Sequence, residues 1–382
     1  MVVQNYFPQD IRVLKMAHTA KRAGHRVSVV SINNGNQKKR ETVDDITVYR
    51  MALKKNRGST IRYLFEYILF FFYACYKLNS IDRRSTINLV HINTLPDFLV
   101  FSALIQKIKG VPIILDMHEI WPEFSMSKFN LGKHHPLIYI LRFIEKISLL
   151  FADNIITVND PIKNVFHERS VPGKPISIVM NTVDESIVPQ AQKRKHKTFS
   201  CVYHGTLTEL YGLDIAIRGF AKACASNQNM TFNIFGDGQN KDKLDKLCHS
   251  LDIKKQVIFH GLLDHQAMMD ALAGMDLGIL APKKDVFLDL SFSNKLAEYM
   301  FLRIPVVSSN LYTTQYYFND TQVLFFKSGN IEDLSAKISF AFHHRDAITE
   351  TANNAFKKIQ TMSWTVMSKR YLALIDNPKS LQ

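Results

Sequence analysis

The sequence predicts an α/β protein of two doubly wound parallel-sheet domains. Three observations predict it. Short β-branched runs alternate with longer helical patterns, and the alternation is made twice along the chain. A polar, basic stretch with no apolar periodicity separates the two series.

In the first half, strands are expected at Met1–Gln4, Arg26–Ser31, Asn88–Ile92, Pro112–Met117 and Asn154–Val158. Between the first two, Arg12–Gly24 carries apolar residues at helical spacing and stops at Gly-His. Strand, helix, strand is the βαβ unit of a parallel sheet. In the second half, strands are expected at Ser200–His204, Thr231–Phe235, Gln256–Phe259, Leu277–Leu280, Pro305–Ser308 and Val323–Phe326. Helical patterns such as Gly212–Cys224 and Gly238–Leu251 separate them. The expected domains are 1–187 and 198–364, with VPQAQKRKHK at 188–197 as linker. A last helix, Trp364–Ile375, follows the second sheet, and residues from about 365 to 382 are expected to pack back on the first domain. Two such sheets place a ligand cleft at the carboxyl ends of their strands.

The 382 residues suffice to bury two cores, and 46% hydrophobic with 21% charged residues is ordinary for a globular chain. Cys75, Cys201, Cys224 and Cys248 form no C-x-x-C pair, so they read as reduced core thiols of a cytosolic protein. The net charge of +14 is one-sided: residues 1–197 hold 29 Lys and Arg against 16 Asp and Glu, whereas the remainder holds 19 against 18. Such a field favours an anionic partner, and a solvated basic face is the plain alternative. Nucleic acid is not expected, because no recognition helix or aromatic stacking module accompanies the charge. The start, MVVQNYFPQD, lacks the pattern of a signal peptide. The apolar segment Tyr63–Leu78 is short for a membrane span and contains Glu66. It reads either as a buried helix or as one lying in a membrane interface, with Arg57, Arg62, Lys77, Arg83 and Arg84 at its flanks.

Chemistry concentrates in a few strand-to-helix turns. In DLSFSNKLAEYMFLRIPVVSSN, 289–310, a polar loop of Asp289, Ser293 and Asn294 precedes a helix near Lys295. The unsatisfied N–H groups and positive end of such a helix suit a diphosphate, and Lys295 adds a point charge. Glu298 lies one turn further, where a carboxylate can accept from ribose hydroxyls. In VYHGTLTELYGLD, Gly205 lets a ligand approach the backbone and Thr206 can donate to phosphate. Gly236, in IFGDG, reads as a tight turn rather than a dinucleotide fingerprint. In the first half, ILDMHEIWPE sets Asp116, His118 and Glu119 after a buried strand, and His91 and Asn93 end the neighbouring one. Either histidine can equally be structural. Asp10 and Arg12 can touch an acceptor, or Asp10 can simply cap the helix. There is no D-x-D motif and no metal-ligand spacing, so no metal site is expected.

Taken in order, these segments resemble the family 4 glycosyltransferases. FPQDIRVLKMAHTAKRAGHRVSVVS, LVHIN, LDMHEIWPE and NTVD are similar to the family's first domain. YHGTLTELYGLD, IFGDG, VIFHGLL and NKLAEYM with IPVVSS are similar to its donor domain. The resemblance implies the GT-B fold, two Rossmann-like domains facing across a cleft. It implies a retaining, metal-independent hexosyltransferase with no cofactor, whose UDP- or GDP-linked sugar is a substrate. Glu298 then matches the second Glu of the family's E-x7-E motif, Lys295 would lie at the diphosphate, and His118 would face the reacting centre. Donor contacts are expected from Gly205, Thr206, Gly236, Asp289, Ser293, Asn294, Lys295 and Glu298, and acceptor contacts from Asp10, Arg12, His91, Asn93 and Glu119. The chain departs from the family at Leu290, where the first Glu of the motif is missing, and at Thr206 and Tyr211, which replace the usual Arg and Lys.

The basic first half points to a polyprenyl-diphosphate-linked glycan as acceptor and to an anionic membrane surface as partner. The expected place is the cytoplasm, peripheral on the inner face of the plasma membrane. The alternatives are a non-catalytic sugar-nucleotide binder and a GT-B nucleotide-sugar 2-epimerase.

Overall fold

The computed structural model describes the chain except residues 54, 56–59, 186–187, 190–197, 228 and 379–382, and the side chains of 60, 61 and 63. The chain forms two compact units, Met1–Asn181 with Met367–Gln382, and Thr182–Val366. The division falls ahead of the 187/188 boundary read from composition. The cause is local: Trp364 N–H donates to Val183 O at 3.3 Å, and Thr365 N–H to the Glu185 carboxylate at 3.2 Å. Of the expected linker, only Val188 and Pro189 are among the described residues.

The first unit holds an eight-stranded sheet. Its strands are β1 (Val2–Tyr6), β2 (Ser28–Ile32), β3 (Arg40–Val43), β4 (Ile46–Met51), β5 (Val90–Asn93), β6 (Ile113–Met117), β7 (Asn154–Thr157) and β8 (Ile176–Ile178), in the order β3-β4-β2-β1-β5-β6-β7-β8. All neighbours are parallel except β3 and β4. The sequence reading missed this hairpin. Its signal is Asp44-Asp45 between alternating residues, both at positive φ (48° and 59°), the backbone that a two-residue hairpin turn requires. β8, only three residues long, was missed as well. Helix Ile11–Arg22 seals the sheet: Val13 and Ala17 pack with Val3, Phe7, Val29, Ile46 and Val48.

The second unit holds six parallel strands, β9 (Phe199–His204), β10 (Met230–Phe235), β11 (Val257–Gly261), β12 (Leu277–Leu280), β13 (Val306–Ser309) and β14 (Leu324–Phe326). Their order is β11-β10-β9-β12-β13-β14. The reversal of direction at β9 and β12 places the carboxyl ends of both beside one crevice, the usual ligand position in such a sheet.

The apolar segment near residue 70 is a 23-residue helix, Thr60–Asp82. One face is buried through Tyr67, Phe70, Ala74, Leu78 and Ile81, at helical spacing. The opposite face leaves Leu64, Phe65, Ile68, Phe72 and Tyr76 exposed. The buried-helix reading thus holds for one face only. Among the described residues, no helix is long and apolar enough to cross a membrane.

The carboxyl ends of β1 and β6 are braced by a buried ion pair. Arg12 grips Asp116 with two hydrogen bonds, Nε to Oδ2 and Nη2 to Oδ1, both 2.7 Å. Its Nη1 donates to Val179 O and Asn181 Oδ1 at 2.9 and 2.8 Å. Burial would raise the Asp116 carboxyl, but the Arg12 guanidinium outweighs it and holds it below the usual carboxylate range. Arg12→Ala strands a buried carboxylate and is expected to lower the unfolding free energy by about 3–5 kcal/mol. Denaturant titration measures this; a loss below about 1 kcal/mol, the scale of a surface pair, would show that the brace is not structural.

Candidate functional site

In the second unit the site grows from three strand-to-helix turns. Helix Asn294–Phe301 starts at Ser293, whose hydroxyl accepts from Leu296 N–H at 3.4 Å. The other N–H groups of the first turn have no partner within the helix and point outward with its positive end. Leu296, Ala297, Tyr299 and Met300 are buried, which fixes the helix and leaves Lys295 and Glu298 facing the turn after β9. Asn294 is exposed at the helix start.

Lys295 has no carboxylate partner among the described residues. Its ammonium lies 4.1 Å from the centre of the Tyr211 ring and 5.7 Å from that of Tyr203. Burial pushes its pKa down to about 8, against the opposing pull of Glu298. Gly205, at φ +123°, makes this position available: a Cβ there would stand 2.3 Å from Lys295 Cε. Gly236, at φ +135°, passes equally close to Gly205, since its Cβ would meet Gly205 O at 1.9 Å. Thr206 is exposed beside them, and its carbonyl accepts from the Tyr203 hydroxyl at 3.0 Å.

Glu298 is held from two sides. His204 Nε2 is 2.5 Å from Oε2, and His265 Nε2 is 3.7 Å from Oε1. His204 Nδ1 in turn lies 3.0 Å from the buried Tyr299 hydroxyl. Burial would raise the Glu298 carboxyl, but the hydrogen bonds and charges of the two histidines bring it down to about 2. The carboxylate is therefore ionised, anchored, and directed away from a bond with Lys295. Sequence reasoning named neither histidine as a site residue. The available signal was His204 itself, a polar residue ending an otherwise apolar strand.

Asp289 is turned elsewhere. Its carboxylate accepts from Tyr312 N–H at 3.2 Å and its carbonyl from the Thr313 hydroxyl at 2.7 Å. One of its carboxylate oxygens thus caps the helix Tyr312–Tyr317.

In the first unit, the expected acceptor residues divide. Arg12 is committed to Asp116, Val179 and Asn181 and is only 6% exposed, so it acts as a brace. His91 is also interior, 2% exposed, with Nδ1 3.1 Å from the Tyr371 hydroxyl; burial lowers its pKa to about 3, so the ring is neutral. It lines a cavity of about 400 Å³ at the amino ends of β1, β2 and β5, opposite the edge where ligands are expected. Asn93 is fully buried and donates to Val2 O at 3.2 Å. All three side chains are thus turned to partners inside the first unit, and His91 Nε2 and Asn93 Oδ1 have no hydrogen-bond partner among the described residues. At the end of a β-branched strand, a polar residue can point inward as readily as outward.

Asp10, His118 and Glu119 remain at the carboxyl edge. Asp10 caps helix Ile11–Arg22, accepting from Val13 N–H at 3.1 Å, and takes a second bond from Asn5 at 2.8 Å. His118 Nδ1 and Glu119 Oε2 are buried atoms without a hydrogen-bond partner among the described residues. Such atoms can receive a ligand or water. Burial lowers the His118 pKa and raises that of Glu119 to about 7, so Glu119 can donate or accept near neutrality.

Comparison with known proteins gives the family. Residues 184–358 match the model for glycosyl transferases group 1, and residues 10–187 that for glycosyltransferase family 4. One component of phosphatidylinositol N-acetylglucosaminyltransferase, from Homo sapiens, is 20% identical over 279 residues, 71% of this chain and 54% of its own length. The chain thus spans about half of that relative. HepE of Anabaena in complex with UDP superposes with a TM-score of 0.70 at 13% identity, covering 98% of this chain and 99% of that one. The lipopolysaccharide outer core galactosyltransferase WaaB superposes with a TM-score of 0.67 at 16% identity, covering 99% and 98%. At such identities the structural likeness speaks for the fold alone. The two family models together run from residue 10 to residue 358, and the chain belongs to the family 4 glycosyltransferases, of the GT-B fold.

Proposed function

We propose that this glycosyltransferase is retaining and metal-independent. It moves a sugar from a nucleoside-diphosphate donor, UDP- or GDP-linked, to a hydroxyl of a lipid-linked saccharide in surface polysaccharide or lipopolysaccharide synthesis. One observation carries the donor half: a lysine without a carboxylate partner among the described residues, at a helix N-terminus, beside a glycine turn, with an anchored carboxylate one turn on. Breaking the sugar–phosphate bond leaves negative charge on the diphosphate. Lys295 and the N–H groups at Ser293–Asn294 receive that charge, a preorganised electrostatic role. Glu298 accepts from the ribose hydroxyls. The complex of HepE with UDP supports a nucleotide donor.

The acceptor hydroxyl attacks on the leaving-group face, and a diphosphate oxygen takes its proton, so no protein base is required. His118, neutral and with an open Nδ1, orients the sugar, and Asp10 and Glu119 hold acceptor hydroxyls. The basic first half favours a polyprenyl-diphosphate-linked glycan at an anionic inner membrane face, and the name of WaaB, a lipopolysaccharide outer core galactosyltransferase, favours a surface-glycan acceptor. A second reading, a sugar-nucleotide binder without transfer, is favoured by Leu290 and by the commitment of Asp289 to a cap. It would bind the donor and release no product.

The test is transfer from UDP- and GDP-sugars to a polyprenyl-diphosphate-linked saccharide, with the product's anomeric configuration determined. Retained configuration and indifference to EDTA are expected; an inverted product or an EDTA-sensitive rate contradicts the mechanism. Lys295→Ala is expected to lower kcat by about 10²–10³ while unfolding like the wild type. His204→Gln keeps a donor for Glu298, so its donor KM should lie nearer the wild type than that of His204→Ala; equal values would remove His204 from the site.

A further inference from the structure

We propose that the cavity between the β3–β4 hairpin and helix Thr60–Asp82 receives the phosphate of an anionic lipid head group, whose chain lies along the exposed ridge of that helix. The inference deepens the membrane part of the proposed function and rests on it. It concerns residues that the transfer reaction does not use.

The cavity measures about 300 Å³. That is the low end for a ligand site, suited to a head group rather than a nucleotide. Lys39, Arg40, Arg50, Lys77 and Arg84 line it, and no carboxylate does. Arg50 is already satisfied: it pairs with Glu41 at 2.6 Å and donates to Phe7 O at 2.9 Å. It forms the floor and ties the cavity to the loop that carries Asp10. The other four cations have no carboxylate partner among the described residues.

Aromatic rings hold two of those cations without neutralising them. Lys77 lies 5.7, 5.6 and 5.1 Å from the ring centres of Tyr49, Tyr73 and Tyr76, and Arg40 lies 5.4 Å from that of Tyr49. A ring positions a cation and leaves its charge intact. Four uncompensated like charges around one concavity repel one another, and their field focuses an anion into it. Lysine and arginine donors together match phosphate oxygens.

The second observation selects the source of the phosphate. Tyr76, which lines the cavity, ends a row formed with Leu64, Ile68 and Phe72, each four residues apart and 41–65% exposed. The row is about 18 Å long at the helical rise. A free phosphate explains the cations and leaves this ridge unexplained. A head group with its chain accounts for both, and a helix with such a face lies in the membrane interface.

The experiment uses the full chain and sedimentation with phosphatidylcholine vesicles, with and without phosphatidylglycerol. Binding is expected only with phosphatidylglycerol. Lys77→Gln with Arg84→Gln should weaken it about 30-fold, the effect of two surface cations, and Phe72→Ser should weaken it separately. Lys133→Gln with Lys163→Gln, outside the cavity, is the control pair. An equal loss from the control pair overturns the cavity and leaves a diffuse basic surface. Inorganic pyrophosphate binding that the cavity variant abolishes, with Phe72→Ser silent on vesicles, overturns the lipid source. Absence of any vesicle binding by the wild type overturns both this site and the membrane reading. A nucleoside-diphosphate thermal shift retained in every variant shows that the chain still folds.

Discussion

The hydrogen bond from His204 to Glu298 sets the character of the second unit. Lys295 and Glu298 stand on neighbouring positions of one short helix, and left to themselves they would neutralise each other. His204, itself steadied by Tyr299, draws the carboxylate to the end of β9. The lysine then lies against tyrosine faces, half-buried and with its pKa brought down toward neutrality. A cation in that condition has a strong reason to meet an anion. The glycine turns after β9 and β10 add to this, because a side chain on either would occupy the space that the lysine and the adjoining backbone need.

The first unit resolves the same problem, a buried charge, in the opposite sense. Arg12 and Asp116 satisfy each other and their neighbours, so they hold strand ends. Their presence shapes what remains. His91 and His118 both lie 3.9 Å from the Asp116 carboxylate, yet burial keeps both rings below their usual pKa. A neutral His118 with an open nitrogen suits a hydroxyl-rich ligand better than an imidazolium would. Glu119, displaced upward by the same dryness, can offer either a donor or an acceptor.

Much of this was legible in the sequence. The β-branched apolar runs gave eleven of the strands, and the polar loop before Lys295 marked the helix end beside β9. The β3–β4 hairpin was not seen, because its turn is Asp-Asp rather than the more familiar glycine pair, and its first strand, RETV, is too polar to announce a core. Side-chain direction was the harder matter. A polar residue at a strand end reads the same whether it faces a ligand or a buried partner; Arg12, His91 and Asn93 face partners. The Arg12–Asp116 pair is 104 residues apart in sequence, and no local pattern reports a contact of that range. His204 lay in plain view and lacked only its partner on a distant helix.

The central claim is that Lys295, as a lone cation, holds the donor diphosphate. Calorimetric titration of UDP and GDP into the wild type and Lys295→Ala, on both sides of pH 8, tests it most directly. Below that pH the free lysine is charged; above it the charge is lost. The account predicts that one nucleotide binds the wild type with affinity falling toward about tenfold per pH unit above 8, and that Lys295→Ala binds it weakly at every pH. Equal affinity and the same pH dependence in both proteins would contradict it.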